Sequence, residues 1–276
     1  MKLFFTAAFV IIISLPMLSK AQGNLLIVPR RVVFEGGKRT QELNLANTGT
    51  DTARFAVSLL EYRMEKNGNF TEISQPDSGQ YFADKFIRFF PRAVTLAPNE
   101  AQVIKMQLVN TAALKPGEYR SHIYFRALPK ISTIASSKKD TAAENGQIAI
   151  KLIPQFGISI PVIIRVGAST TTTTLTDTYM KLDEGKPALH MQINRSGNMS
   201  LYGDIKVNYV AESGAISQVG LIKGLSVYTP NTVRSVDIKL DPKPNTNLHK
   251  GKLQIVYASQ SDSKPVKFAE AEITLK

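Results

Sequence analysis

The chain is 276 residues long, carries a formal net charge of +12 and contains no cysteine. The missing thiols exclude disulfide staples, thiol nucleophiles, thiolate metal sites and a lipid-bearing cysteine, so apolar cores must hold the chain. Basic residues fall in ones and twos, without an Arg-rich helix or interleaved aromatics, which argues against nucleic acid and for solubility or an acidic partner.

The first element is a secretory signal. Met1-Lys2 gives a short positive start, Leu3 to Leu18 an apolar run, and Ser19-Lys20-Ala21 a small residue at the expected cleavage point. The run is shorter than the roughly 20 residues a spanning helix needs, and Pro16 interrupts its end. Residues 1–21 are therefore read as a cleaved signal peptide, and no later segment is long and apolar enough to span a membrane. Losing Lys2 and Lys20 takes the charge from +12 to about +10. The remaining stretch from Gln22 is long enough for two domains of ordinary size.

Alternating segments follow in series: Val32 to Phe34, Gln41 to Leu45, Arg54 to Leu60, Phe86 to Phe90, Gln102 to Leu108 and Arg120 to Leu128. Asn47-Thr48-Gly49, Asn67-Gly68-Asn69, Ala97-Pro98-Asn99 and Lys115-Pro116-Gly117 punctuate them. Short strands at near-regular spacing with Gly, Pro and Asn turns predict a β-sandwich, and Asn67-Gly68 predicts a hairpin. In the last of these strands Tyr119, Ser121, Ile123 and Phe125 share one face and Arg120, His122, Tyr124 and Arg126 the other. The spacing thus predicts a half-exposed strand with His122 on its wet side.

Residues 130–145 are rich in Ser, Thr, Ala, Lys and acids, and read as a loop. Then comes GQIAIKLIPQFGISIPVIIR, Gly146 to Arg165. Ile148, Ile150, Leu152, Phe156, Ile158 and Ile160 fall on one parity; Lys151, Gln155, Gly157 and Ser159 fall on the other. This period of two far outlasts the usual strand of about five or six residues. Proline donates nothing to a ladder, so Pro154 and Pro161 place the strand along an edge. A long apolar edge is an aggregation liability, and its retention points to strand pairing with a partner. Gly167 to Thr174 (GASTTTTT) reads as a domain linker, although a Thr run also suits a first strand.

Alternation resumes at Ala188 to Ile193, Gly203 to Tyr209, Leu221 to Tyr228, Ser235 to Leu240, Gly251 to Tyr257 and Phe268 to Leu275. The expected fold is all-β: two tandem immunoglobulin-like β-sandwich domains, residues 22–167 and 168–276, after the signal peptide. A single large barrel is the weaker alternative.

No catalytic constellation emerges. His122, His190 and His249 show no HExxH spacing, and no GxSxG elbow, Walker loop or GxGxxG is present. Glu270 and Glu272 read as the solvated face of the last strand. Acids far apart in sequence can serve a glycosidase, but nothing points to such a pair. The chain is read as a non-enzyme with no catalytic residue, no metal ligand set and no cofactor.

Five short stretches carry a resemblance. Pro29-Arg30-Arg31-Val32-Val33-Phe34-Glu35-Gly36 with Leu43-Asn44-Leu45-Ala46-Asn47-Thr48-Gly49, then Phe90-Pro91-Arg92 with Leu96-Ala97-Pro98, then Tyr124-Phe125-Arg126-Ala127-Leu128-Pro129, resemble in order the first domain of the PapD-like periplasmic pilus chaperones. The resemblance covers about residues 25–165 and is fainter beyond. It implies a periplasmic chaperone that stabilises incomplete immunoglobulin-like pilus or fimbrial subunits by lending them a strand, donor-strand complementation, and delivers them for surface assembly.

By this resemblance Ile148, Ile150, Leu152 and Phe156 are the apolar plugs, and Arg31 binds the subunit's C-terminal carboxylate, with Arg30 or Arg165 as supporting charge. The family pairs that arginine with a donor-strand lysine, whose place here falls at or next to Pro161, so this is a divergent branch. The implied partner is an exported pilus-type subunit; whether an outer-membrane usher takes part stays open. The alternative reading is a structural or adhesive surface protein of immunoglobulin-like domains with no client.

Overall fold

The computed structural model describes residues 25–129, 156–243, 246, 248–260 and 264–275. The expected signal peptide and three of the proposed plugs, Ile148, Ile150 and Leu152, lie outside these residues.

Eleven strands, built largely from β-branched and aromatic residues at period two, form the first sandwich and its one hairpin. They are β1 (Leu25–Val28), β2 (Val32–Phe34), β3 (Thr40–Asn47), β4 (Ala53–Leu60), β5 (Tyr62–Met64), β6 (Phe70–Glu72), β7 (Ile87–Phe90), β8 (Ala93–Leu96), β9 (Ala101–Leu108), β10 (Gly117–Ala127) and β11 (Gly157–Val166). One sheet runs β1-β3-β9-β7 and the other β2-β11-β10-β4-β8. In β3 Leu43 and Leu45 are buried while Glu42 and Asn44 face water, the pattern of a sheet wet on one side. Phe34, Leu43, Leu45, Phe55, Leu96, Ile104, Met106, Ile123, Phe125 and Val162 fill the space between the sheets. Each buried side chain of this size contributes roughly 1.5–3 kcal/mol.

The second sandwich has β12 (Thr172–Asp183), β13 (Lys186–Ser196), β14 (Leu201–Val210), β15 (Ile216–Val227), β16 (Val233–Lys239), β17 (Lys252–Ser259) and β18 (Lys267–Thr274). Its sheets run β12-β13-β16 and β15-β14-β17-β18 around Leu189, Met191, Ile193, Ile205, Val207, Val227, Leu253, Ile255 and Tyr257. Glu270 and Glu272 are exposed and pair with Lys267 and Lys252, the solvated face that alternation predicts.

The threonine run is a strand from Thr172 onward, so the connection between sandwiches is shorter than the composition suggests. Threonine is β-branched and suits the pleat, and here its hydroxyls also bond across the β12–β13 pair. The Thr173 hydroxyl donates to the Asn194 carbonyl at 2.6 Å, and the Thr172 and Ser196 hydroxyls lie 2.7 Å apart.

Asn67-Gly68 does turn a hairpin, β5–β6, with Gly68 at φ +89°. The hairpin leaves the first sandwich and lies on the second. Asn231 Nδ2 donates to the Met64 carbonyl and the Ser235 amide to the Lys66 carbonyl, each at 2.7 Å.

Candidate functional site

The site grows from the outer face of the β2-β11-β10-β4-β8 sheet, where the two domains meet. Along β11, Ile160, Val162 and Ile164 are buried in the first domain's own core and Ile158 packs against it. The described half of the apolar comb is therefore ordinary core, and only Phe156, just before the strand, stands out at 54% exposed. Ile163, on the other face, packs with Met64, Val33 and Tyr228.

The edge placement holds for part of the strand. One side of β11 pairs antiparallel with β10 from Val166 down to Gly157. The other side pairs with β2, in parallel, only at Val162, Ile163 and Ile164. Gly157 to Pro161 thus have no strand on their outer side among the described residues. The Tyr124 ring lies over Gly157, where a Cβ would have to displace the far end of that side chain.

Arg31 sits immediately before β2, half-buried, where the two domains meet. Its guanidinium lies 4.7 Å from the Tyr202 ring centroid and 5.6 Å from that of Tyr228. Nη1 donates to the Tyr228 hydroxyl at 3.3 Å and Nη2 to the Ser200 hydroxyl at 3.5 Å. No carboxylate lies within ion-pair distance of it among the described residues. Arg30 is exposed and likewise shows no ion pair among them.

Arg165 is engaged elsewhere. Its Nε donates to the buried Glu118 carboxylate at 3.1 Å and its Nη2 to the Ser200 carbonyl at 2.8 Å. The same Glu118 oxygen accepts from the Ser200 amide at 3.0 Å and hydroxyl at 2.8 Å. Glu118 and Arg165 of the first domain thus grip the start of β14, an arrangement that ties the domains together.

His122 corrects the sequence reading. It is 4% exposed, walled by Tyr62, Phe70 and Tyr228, because the hairpin and the second domain cover the face that alternation marks as wet. Burial, then the charges of Arg120 and Arg31, lower its pKa to about 3, so the ring is neutral.

Arg120 is 2% exposed and stacks over Tyr228 at 4.3 Å. Its Nη2 donates to the carbonyls of Tyr62 and Thr229, while Nε and Nη1 have no partner. Burial raises Glu61 next to this cluster to about 7, against a weaker opposing influence of the nearby Ser121 hydroxyl.

The arrangement is a cationic, aromatic-lined junction between the domains, in which half-buried Arg31 and buried Arg120 make no ion pair among the described residues. Among the described residues no cluster of acids and histidines fits a metal ion. Sequence reasoning finds Arg31 through its motif context but misses Ser200, Tyr202 and Tyr228. Those residues belong to the other domain, Tyr202 on β14, Ser200 just before it and Tyr228 just after β15, and no local pattern in the sequence marks them as facing Arg31.

No family model and no curated protein matches the chain. Among solved structures it is similar to the YadV chaperone, at 10% identity and TM-score 0.44, over 92% of this chain and 100% of that one. It is also similar to the CsuC–CsuE chaperone–tip adhesion subunit complex of Acinetobacter baumannii, at 15% identity and TM-score 0.42, over 92% and 100% of the two chains. A third is the SafB chaperone with the SafA pilin of Salmonella enterica, at 12% identity and TM-score 0.42, over 93% and 99%.

Proposed function

We propose that this protein is a periplasmic chaperone for an exported, incomplete immunoglobulin-like subunit of the pilus or fimbrial kind, which it stabilises by strand pairing and delivers for assembly. The observation that carries this reading is that the open edge at Gly157 to Pro161 runs into Arg31. A client strand laid beside that edge, on the track β2 occupies further along and parallel to β11, ends its main chain at Arg31. A C-terminal carboxylate there meets a guanidinium that makes no ion pair among the described residues. Backbone pairing along the edge supplies affinity that tolerates different side chains. The charge-assisted contact, which a guanidinium makes bidentately, fixes where the strand stops. Phe156 extends the apolar row beyond the covered core; Ile148, Ile150 and Leu152 continue its parity in the sequence and are assigned as the further plugs. Arg165, committed to Glu118, is not assigned to the client.

The test is affinity capture of the mature protein from its native periplasm, comparing wild type with Arg31→Ala and Phe156→Asp. Both positions are partly or largely exposed, so melting temperatures should stay within about 1–2 °C of wild type. Wild type should retain a β-rich exported protein at equal stoichiometry, with recovery lowered about tenfold by either substitution. Folded wild type that retains no such protein would overturn the reading in favour of a surface protein with no client.

A further inference from the structure

We infer that the second domain is a working part of the carboxylate anchor: Tyr228 and Tyr202 set the orientation of Arg31, and Arg120 holds Tyr228 in place to do so. This rests on the reading of Arg31 as the client's anchor. It assigns to the second domain a role that the open edge and the motif around Arg31 do not supply.

A half-exposed arginine side chain samples many rotamers, and a ligand must freeze out that freedom when it binds. Here that freezing is largely done beforehand, and by residues of β14 and of the turn after β15. The Tyr202 and Tyr228 rings flank the guanidinium at 4.7 and 5.6 Å. The Tyr228 hydroxyl takes one N–H from Nη1, and the Ser200 hydroxyl takes one from Nη2. Five donors less these two leaves three, enough to meet a carboxylate in a two-bond fork.

The ring that takes the larger part in this is itself fixed from the first domain. Arg120 Cζ lies 4.3 Å from the Tyr228 centroid, and Phe70 and His122 stand 6.1 and 6.4 Å from it. Tyr228 is 4% exposed, so it cannot swing aside to let Arg31 relax. Arg120 is too buried to meet a client directly; it is a positioning residue acting through Tyr228 on Arg31. The chain of contacts therefore runs from the first domain into the second and back, and the anchor is complete only when the two are packed together.

The probes are two short synthetic peptides of alternating valine and threonine, one ending in a free carboxylate and one in a carboxamide. The readout is the ratio of their affinities for the full mature protein, alongside its melting temperature. Wild type should prefer the carboxylate peptide about tenfold. Tyr228→Leu and Tyr202→Leu should each bring the ratio close to one without weakening the carboxamide peptide. Tyr228→Phe, which keeps the ring and loses the hydroxyl, should retain most of the preference. A merely structural role moves the melting temperature and both affinities together, not their ratio. Should Tyr228→Leu fail to fold, the half-exposed Tyr202→Leu carries the test. A tenfold preference that survives Tyr202→Leu and every folded Tyr228 variant, yet vanishes in Arg31→Ala, overturns this inference alone. A wild type that binds both peptides alike overturns the carboxylate anchor, and this inference with it.

Discussion

Glu61 lies where β4 gives way to the hairpin, and both its carboxylate oxygens are buried without a hydrogen-bond partner within ordinary distance. Burial holds its pKa near 7 against a usual 4.5, with Asp84 pushing the same way and Ser121 and Arg120 opposing. The folded state therefore binds more protons than the unfolded state between about pH 4.5 and 7. Stability linked to Glu61 is complete below 4.5 and is lost as pH rises through 7. Discounted for partial exposure, the effect is ~1–2 kcal/mol, or roughly 3–6 °C in melting temperature. Glu61→Gln should remove this slope and stabilise the protein at pH 7.5 but not at pH 4.5. Parallel melting profiles for wild type and variant across that range would sink the idea. His122 works in the opposite sense: its pKa is about 3 in the fold against an ordinary 6.5, so its linked stability is present above pH 6.5 and is lost as pH falls toward 3, and the Glu61 part is read from the difference between wild type and variant at each pH. Neither residue betrays its environment in the sequence. Alternation assigns His122 the right face of β10, but whether that face is wet depends on residues such as Phe70 and Tyr228, far away along the chain.

At the scale of the element, period two locates most strands well. Val32 to Phe34 is read off to the residue, and the Arg54 to Leu60 strand is one residue short. What fails is whatever lacks a period. β1 reads LLIV and β8 AVTL, apolar at nearly every position, so neither shows a contrast between faces, and neither does a homopolymeric threonine run. The long comb reads as an edge, and the β2 pairing that closes its second half depends on three residues meeting across the fold. Glycines carry a further structural demand that composition hides. At Gly203 in β14 a Cβ would lie 2.0 Å from the Ala258 carbonyl oxygen, beside an irregularity in the β14–β15 pairing. Backbone cannot step aside as a side chain can, so Gly203→Ala should cost about 1–3 kcal/mol, measured by denaturant unfolding. Gly157→Ala meets only the far end of Tyr124, which can turn away, and should cost less. Equal costs at the two positions would show that the β14–β17 approach is looser than it looks.

Over the whole molecule, the two sandwiches have separate cores and are coupled through a few polar contacts, the hairpin and the small cluster of Ile163, Val33 and Met64 with Tyr228. Glu118 is the most consequential of these. Its side chain is fully buried, and one oxygen collects Arg165, the Ser200 amide and the Ser200 hydroxyl, joining the two domains at one point. Removing a partner from a buried ion pair is costly, because the remaining charge stays desolvated; such losses run to about 3–5 kcal/mol. Arg165 is 24% exposed, so solvent can enter the gap and the cost should lie at or below the low end of that range. Arg165→Met keeps the length of the side chain and removes the charge. Its first domain keeps the core of Phe34, Leu45, Ile123 and Phe125, and its second that of Ile193, Ile205 and Tyr257. Each domain should therefore still fold, while the grip between them weakens. Calorimetry should show one transition in wild type and a broadened or split pair in the variant, with the lower midpoint several degrees down. Because Arg31 takes its bearings from Ser200, Tyr202 and Tyr228, loosening this joint should also lower client capture without touching the open edge of β11. A single unshifted transition with unchanged capture would mean that the hairpin contacts through Asn231 and Ser235 suffice to hold the domains, and that the Glu118–Arg165 pair is dispensable.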